Sequence, residues 1–266
     1  MNQIYKSDTV RQRDGIITQN KENTDRQRLS VSAFFVFDSL LKMGEYMNIF
    51  DILGPVMVGP SSSHTAGAVR IGYVAMHLLK EPLQSVIVTF SGSFAATGTG
   101  HGTDRAIIAG LLRMKPDDIR IPDSFLYAEK YGLSYRFETA AITGAHPNTV
   151  ILLMEGKNGR SLKVQAASLG GGLIMINRLD DIEVNFTAQK PALIVHNLDK
   201  PGHVAQVTLA LAENKINIAA MQLHRSKRGG YAVMVLETDQ EIPETVLKKL
   251  EVLEGIIKIT YINVTV

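Results

Sequence analysis

The stretch Gly59–Lys80, GPSSSHTAGAVRIGYVAMHLLK, sets the reading of the whole chain. Its second half places Val69, Ile71, Val74, Ala75, Leu78 and Leu79 at helical spacing, so a helix is expected over Ala66–Lys80. Its first half puts Ser61, Ser62, Ser63, His64 and Thr65 where that helix opens. A Ser or Thr there offers its oxygen to backbone amides that have no partner within the first turn. Those amides and the positive dipole end also suit a carboxylate. Serines before a helix are more often caps than catalysts, but one hydroxyl is enough for a cap. Four hydroxyls and an imidazole in a row mark a functional site without naming its reaction.

The 266 residues, 45% hydrophobic and 20% charged, suit a globular chain of two domains. A net charge of +2 with no long basic stripe argues against a nucleic-acid surface. No apolar run approaches the length of a bilayer span, and no secretory signal opens the chain, so no membrane contact and a cytoplasmic location are expected. There is no cysteine, which excludes disulfides, thiol catalysis and any thiolate-bound metal held by this chain alone. Residues 1–46 begin polar and charged, with too little apolar surface to offset the entropy of ordering. They are expected to be a disordered leader, with Met47 near the functional start.

Beyond the first helix, Ser85–Phe90 reads as a strand, Ser91–Thr103 as a glycine-rich loop and Asp104–Met114 as an amphipathic helix. That layout can cradle an anion, but without the Lys-Ser/Thr ending of a nucleotide P-loop it is not an ATP site. His101 and Asp104 lie within reach of one another. Strands are expected at Tyr135–Thr139, Thr149–Glu155, Ser161–Ala167 and Leu173–Asn177, with His146-Pro-Asn-Thr149 as a turn and Gly156-Lys-Asn-Gly159 as a hairpin. The first domain, 47–185, is therefore mixed α/β within an α+β protein. The tail, 190–266, alternates strand, helix, strand, strand, helix, strand, a ferredoxin-like βαββαβ unit. A turn, Asn197-Leu-Asp-Lys-Pro-Gly202, joins its first strand and helix.

With its Asp199-Lys-Pro-Gly202 turn, the tail resembles an ACT domain, a small amino-acid-sensing module. The front carries Gly54-Pro55, Gly59–Thr65, Gly98-Thr-Gly-His-Gly-Thr-Asp104, His146–Thr149 and Ser168-Leu-Gly-Gly-Gly172. Together and in order, these resemble the β chain of iron–sulfur L-serine dehydratases over residues 47–264. The resemblance implies removal of water from L-serine to give pyruvate and ammonia, in the family's route from amino-acid degradation toward gluconeogenesis. It implies a [4Fe-4S] cluster as Lewis acid and no pyridoxal phosphate. In two-chain members the cluster cysteines belong to an α chain, which fits a cysteine-free sequence and names that chain as partner.

On this resemblance His64 is expected to be the base or to orient the substrate, with His101 the second site histidine. Ser61, Ser62, Ser63 and Thr65 would hold the substrate carboxylate, with His146 and Asn148 nearby. In the tail, Asn197, Asp199, Pro201 and Gly202 would form an effector site where ACT units pair, and carbonyls of that turn would suit a cation such as potassium. His77, His196 and His203 are expected to be structural or, for the last two, to shape the regulatory pocket. Two other readings stand beside this one. A hydrolase using Ser63 and His64 lacks the Gly-x-Ser-x-Gly elbow, and adjacent residues rarely face each other. A stand-alone amino-acid-binding regulator, without catalysis, is also compatible with the absent cysteines.

Overall fold

The computed structural model describes residues 56–98, 100–180 and 182–263, all within one unit, Leu53–Val266. The expectations for the leader, Met47, Gly54-Pro55 and Thr99 fall outside the described residues.

Ser61 has extended backbone (φ −143°, ψ 125°), and its Oγ accepts the His64 N–H at 3.1 Å, so it is the cap. The next five residues, Ser62–Ala66, form one π-helical turn, and only then does helix α1, Gly67–Leu79, begin. The expected single helix from Ala66 is corrected here: a wider turn precedes it, a form frequent at functional sites. Strand β1 is Leu83–Phe90.

A second correction concerns Ser91–Thr103. This is not a continuous loop, because Gly92–Thr97 forms a short helix, α2. The Ser93 N–H donates to the Pro147 carbonyl at 2.7 Å, anchoring its first turn. Gly92, at φ 57°, lies so close to Pro147 that a Cβ would overlap its carbonyl. The His146–Thr149 turn thus braces α2 from outside, a tertiary contact with no local signal in the sequence. Helix α3, Thr103–Leu111, follows, and then α4, Ser124–Lys130.

Strands β2 (Ser134–Thr139), β3 (Thr149–Gly156), β4 (Ser161–Gly170), β5 (Leu173–Leu179) and β6 (Ile182–Phe186) complete the first sheet. Its order is β2-β1-β3-β4-β5-β6, parallel between β1 and β2 and antiparallel elsewhere. The hairpin at residues 156–159 is as expected, and β6 is an added strand. Alternate residues of the central strands, such as Leu152, Met154, Val164 and Ile174, are buried with Ile71 and Leu78 of α1 and Ile107 and Leu111 of α3. Each such side chain contributes roughly 2 kcal/mol of burial. Helices α1 and α3 cross at bare backbone: a Cβ on Gly110 would overlap the Val69 carbonyl, and one on Gly72 would lie 2.5 Å from the Ile107 carbonyl.

The tail forms a second sheet from β7 (Ala192–Leu198), β8 (Ile218–Arg225), β9 (Tyr231–Thr238) and β10 (Ile256–Ile262), with helices α5 (His203–Glu213) and α6 (Glu244–Glu251). Its antiparallel order β10-β7-β9-β8 is the expected ferredoxin-like arrangement. Leu193, Val195, Met234 and Leu236 pack with residues of the two helices, including Val207, Leu211 and Leu250. Ala192, Ile194, Val233, Val235 and Ile262 join the core of the first sheet instead. Both faces of β7 are therefore covered, which accounts for its unbroken Ala-Leu-Ile-Val run. Among the described residues no helix is long and apolar enough to cross a membrane.

Candidate active site

The π turn places His64 between two segments far apart in sequence. On one side its Nδ1 lies 3.1 Å from Ser63 Oγ and 3.5 Å from Ser61 Oγ, and those two hydroxyls are 3.3 Å apart. On the other, its Nε2 lies 3.2 Å from Ser93 Oγ and 3.0 Å from Thr97 Oγ1, both on α2. Phe94, fully buried between them in sequence, meets the imidazole edge-on at 5.2 Å. Residues 93, 94 and 97 lie on one side of a helix, and so reach the ring together.

The hydroxyl of Thr97 also donates to the Ser93 carbonyl at 2.9 Å. With its single proton engaged there, it accepts from Nε2–H. That tautomer leaves the Nδ1 lone pair facing Ser63. Burial holds the His64 pKa below the ordinary histidine value, and the neighbouring His101 lowers it further, against an opposing contribution from the Ser93 backbone. A neutral imidazole is the form that proton abstraction requires.

His101 is exposed, its ring 5.0 Å from that of His64. It does not pair with Asp104, whose carboxylate accepts the Arg105 N–H at 2.8 Å. Thr65 is buried and donates to the His101 carbonyl at 3.5 Å, tying the two histidine loops together. Gly59, at φ 131°, backs onto Thr65 so closely that a Cβ would lie 2.5 Å from its methyl group. The Ser62 side chain makes no hydrogen bond among the described residues. Ser63 and His64, although adjacent, do meet; the expectation that such neighbours point apart is overturned by the π turn.

The structure does not place His146 at this imidazole. It is exposed, its Nδ1 accepts the Asn148 N–H at 3.1 Å, and it lines a separate cavity with Thr149, Gln165 and Asn177. Asn148 donates to the Ser168 carbonyl at 3.4 Å. Ser168 is buried beneath Gly67, where a Cβ would overlap its Oγ. The His146–Thr149 and Ser168–Gly172 motifs therefore support α2 and the π turn from behind. Reading the residues alone missed Ser93 and Thr97. Their i, i+4 spacing between Gly92 and Gly98 was the available signal.

In the tail, the Asp199 carboxylate accepts the Gly229 N–H at 2.9 Å and faces Arg225 at 3.5 Å. Gly202 adopts φ 99° immediately before α5. Asn197 is buried; its amide donates to the Leu198 carbonyl at 2.6 Å, while among the described residues its Oδ1 has no partner and Nε2 of buried His203 has none. Burial lowers the His196 pKa to about 4, with Lys258 adding to the shift.

An iron–sulfur cluster does not fit this chain as its holder. It has no cysteine, and among the described residues no three His, Asp or Glu side chains gather into a metal-binding group.

Residues 48–131 match the family described as serine dehydratase beta chain, and residues 192–255 match the ACT domain. The chain is 42% identical over 218 residues to the probable L-serine dehydratase, beta chain, of Bacillus subtilis (strain 168), covering 82% of this chain and 99% of that one. It is 33% identical to the L-serine dehydratase, beta chain, of Peptoniphilus asaccharolyticus, covering 81% and 97% respectively. A D-3-phosphoglycerate dehydrogenase of Bacillus subtilis (strain 168) is 24% identical over 73% of this chain, but only 37% of that enzyme is matched.

Proposed function

The chain belongs to the L-serine dehydratase β-chain family, and we propose that it is the β subunit of an L-serine ammonia-lyase completed by a cysteine-bearing α chain. The observation that carries this reading is the neutral His64, gripped at both ring nitrogens by hydroxyls from two segments. His64 takes the α proton of L-serine at Nδ1, and the β hydroxyl departs with that proton as water. The resulting enamine tautomerises, and water hydrolyses the imine to pyruvate and ammonia. Ser61 and Ser63 orient Nδ1, and Ser93 and Thr97 fix Nε2. His101 closes one side of the site. Ser62 acts beside the substrate, and His146 and Asn148 act indirectly, from the turn whose Pro147 carbonyl braces α2.

We place the [4Fe-4S] cluster on the α chain, where it would act as the Lewis acid for the departing hydroxyl. The ACT unit is the regulatory part. Its effector site lies at Asn197, Asp199, Pro201 and Gly202, and two such units pair around L-serine there. The unpartnered Asn197 Oδ1 and His203 Nε2 support a ligand at this turn. A monovalent cation such as potassium would bind the same turn through carbonyls. A cytoplasmic location accords with oxygen-sensitive cluster chemistry.

The test is anaerobic pyruvate formation from L-serine by this chain alone, by a candidate α chain alone and by both mixed. Activity confined to the mixture supports the reading. L-Serine binding to this chain with no activity in any mixture favours the stand-alone regulator. The Ser63–His64 contact also suits a nucleophile and base, and ester hydrolysis by the isolated chain, abolished by Ser63→Ala, would favour that class.

A further inference from the structure

Resting on the reading above, the site still lacks a group for the substrate carboxylate, which stays charged throughout the reaction and must be fixed relative to the base. The serine row is poorly suited to supply it: the Ser61 and Ser63 hydroxyls are engaged with His64 and the Thr65 hydroxyl with the His101 carbonyl, and Ser62, without a partner among the described residues, offers one uncharged hydroxyl. Beside them lies a cavity of about 240 Å³ bounded by Gly59, Thr65, Gly100, His101, Gly102 and Arg105, and backed by Ile121 and Pro122. That is room for a small amino acid.

Among the described residues Arg105 is the only guanidinium or ammonium group in this lining. It stands in the first turn of α3, which Gly102 opens at φ 68°. Its backbone is held from both ends, since its carbonyl accepts from Ser124 Oγ at 2.8 Å and its N–H is bound by Asp104. The guanidinium lies 5.8 Å from the centre of the Phe125 ring, a contact that orients the plane without neutralising it. No carboxylate of the described residues pairs with it. A planar fork, a cavity and an unclaimed positive charge beside His101, whose ring lies 5.0 Å from that of His64, together suit a carboxylate.

We propose that Arg105 is the carboxylate anchor of the substrate pocket, its guanidinium binding both carboxylate oxygens of L-serine so that Cα faces His64. The cavity then discriminates amino acids from their uncharged relatives.

The experiment uses the assembled two-chain enzyme carrying Arg105→Gln or Arg105→Lys. It measures kcat and KM for L-serine, and competitive inhibition by glycine against glycinamide. The wild-type pair should prefer glycine. Arg105→Gln should raise KM roughly thirty- to a hundredfold, the loss of a charge-assisted bidentate pair, with a smaller change in kcat, and should erase the preference for glycine. Arg105→Lys should fall between, and serves if the Gln variant does not assemble. An unchanged KM in both variants, or a wild-type pair indifferent to the inhibitor's carboxylate, overturns the inference while the dehydratase reading stands. A wild-type pair that never turns over L-serine overturns that reading, and this inference with it.

Discussion

Thr97 Oγ1 lies 3.0 Å from Nε2 of His64 and donates its own proton to the Ser93 carbonyl at 2.9 Å. One hydroxyl therefore fixes both the orientation and the tautomer of the proposed base. Thr97→Val keeps the side-chain shape and removes the acceptor. In the two-chain enzyme it should lower kcat roughly tenfold to a hundredfold, comparable to losing the partner that orients a metal-bound histidine. It should also move the acid limb of the pH profile downward, because Nε2–H loses an acceptor that stabilises the imidazolium. Thr97→Ser should restore both. Steady-state kinetics across pH checks this.

The His64 pKa sits below the ordinary histidine value, from burial first and the charge of His101 second. The base is active when neutral, so kcat/KM should fall only as pH drops below the usual histidine range. His101→Gln removes the second cause, and the acid limb should then move to higher pH. An unmoved limb would mean that the two imidazoles do not interact in the working enzyme.

Gly110 is required by the α1–α3 crossing, since its missing Cβ is replaced by the Val69 carbonyl. Gly110→Ala must push two helix backbones apart, and should destabilise the chain by about 3 kcal/mol, at the upper end for overpacking. Because α1 follows directly from the π turn, activity should fall with stability. Urea unfolding monitored by circular dichroism gives the difference.

His196 faces the first sheet from β7, paired across from Lys258. Burial, then Lys258 and Arg160, lower its pKa to about 4 from 6.5, against an opposing pull from Asp180. The unfolded chain binds a proton there below about pH 6.5 while the folded chain does not until about pH 4. Stability should therefore decline as pH falls through that window, by on the order of 3 kcal/mol in all, and no further below it. His196→Gln should flatten this slope in unfolding titrations at pH 7, 6, 5 and 4.

Much of the fold was legible because its signals are local. Val69 to Leu79 carries a helical period, residues 156–159 a hairpin, and the tail a strand and helix order that yields one sheet topology. The serine row announced a helix start and a site. What stayed hidden depended on tertiary contact. The run Gly92–Thr97 is too short and too glycine-flanked to read as a helix, and it forms because Pro147 caps it from another loop. With α2 unread, Ser93 and Thr97 could not be joined to His64. His146 read as a site residue because it stands in a distinctive tetrapeptide, whereas the backbone of Pro147 beside it does the bracing. Arg105 was absorbed into an amphipathic helix, and only the cavity at its first turn sets it apart.

The account turns on His64 as the base. The most direct measurement is anaerobic turnover of L-serine by the two-chain enzyme with His64→Ala, alongside a pull-down or sizing experiment showing that the chains still assemble. The account predicts an intact pair whose pyruvate formation falls at least a hundredfold, the lower range for loss of a positioned general base. An intact pair carrying His64→Ala that keeps near wild-type turnover would contradict it.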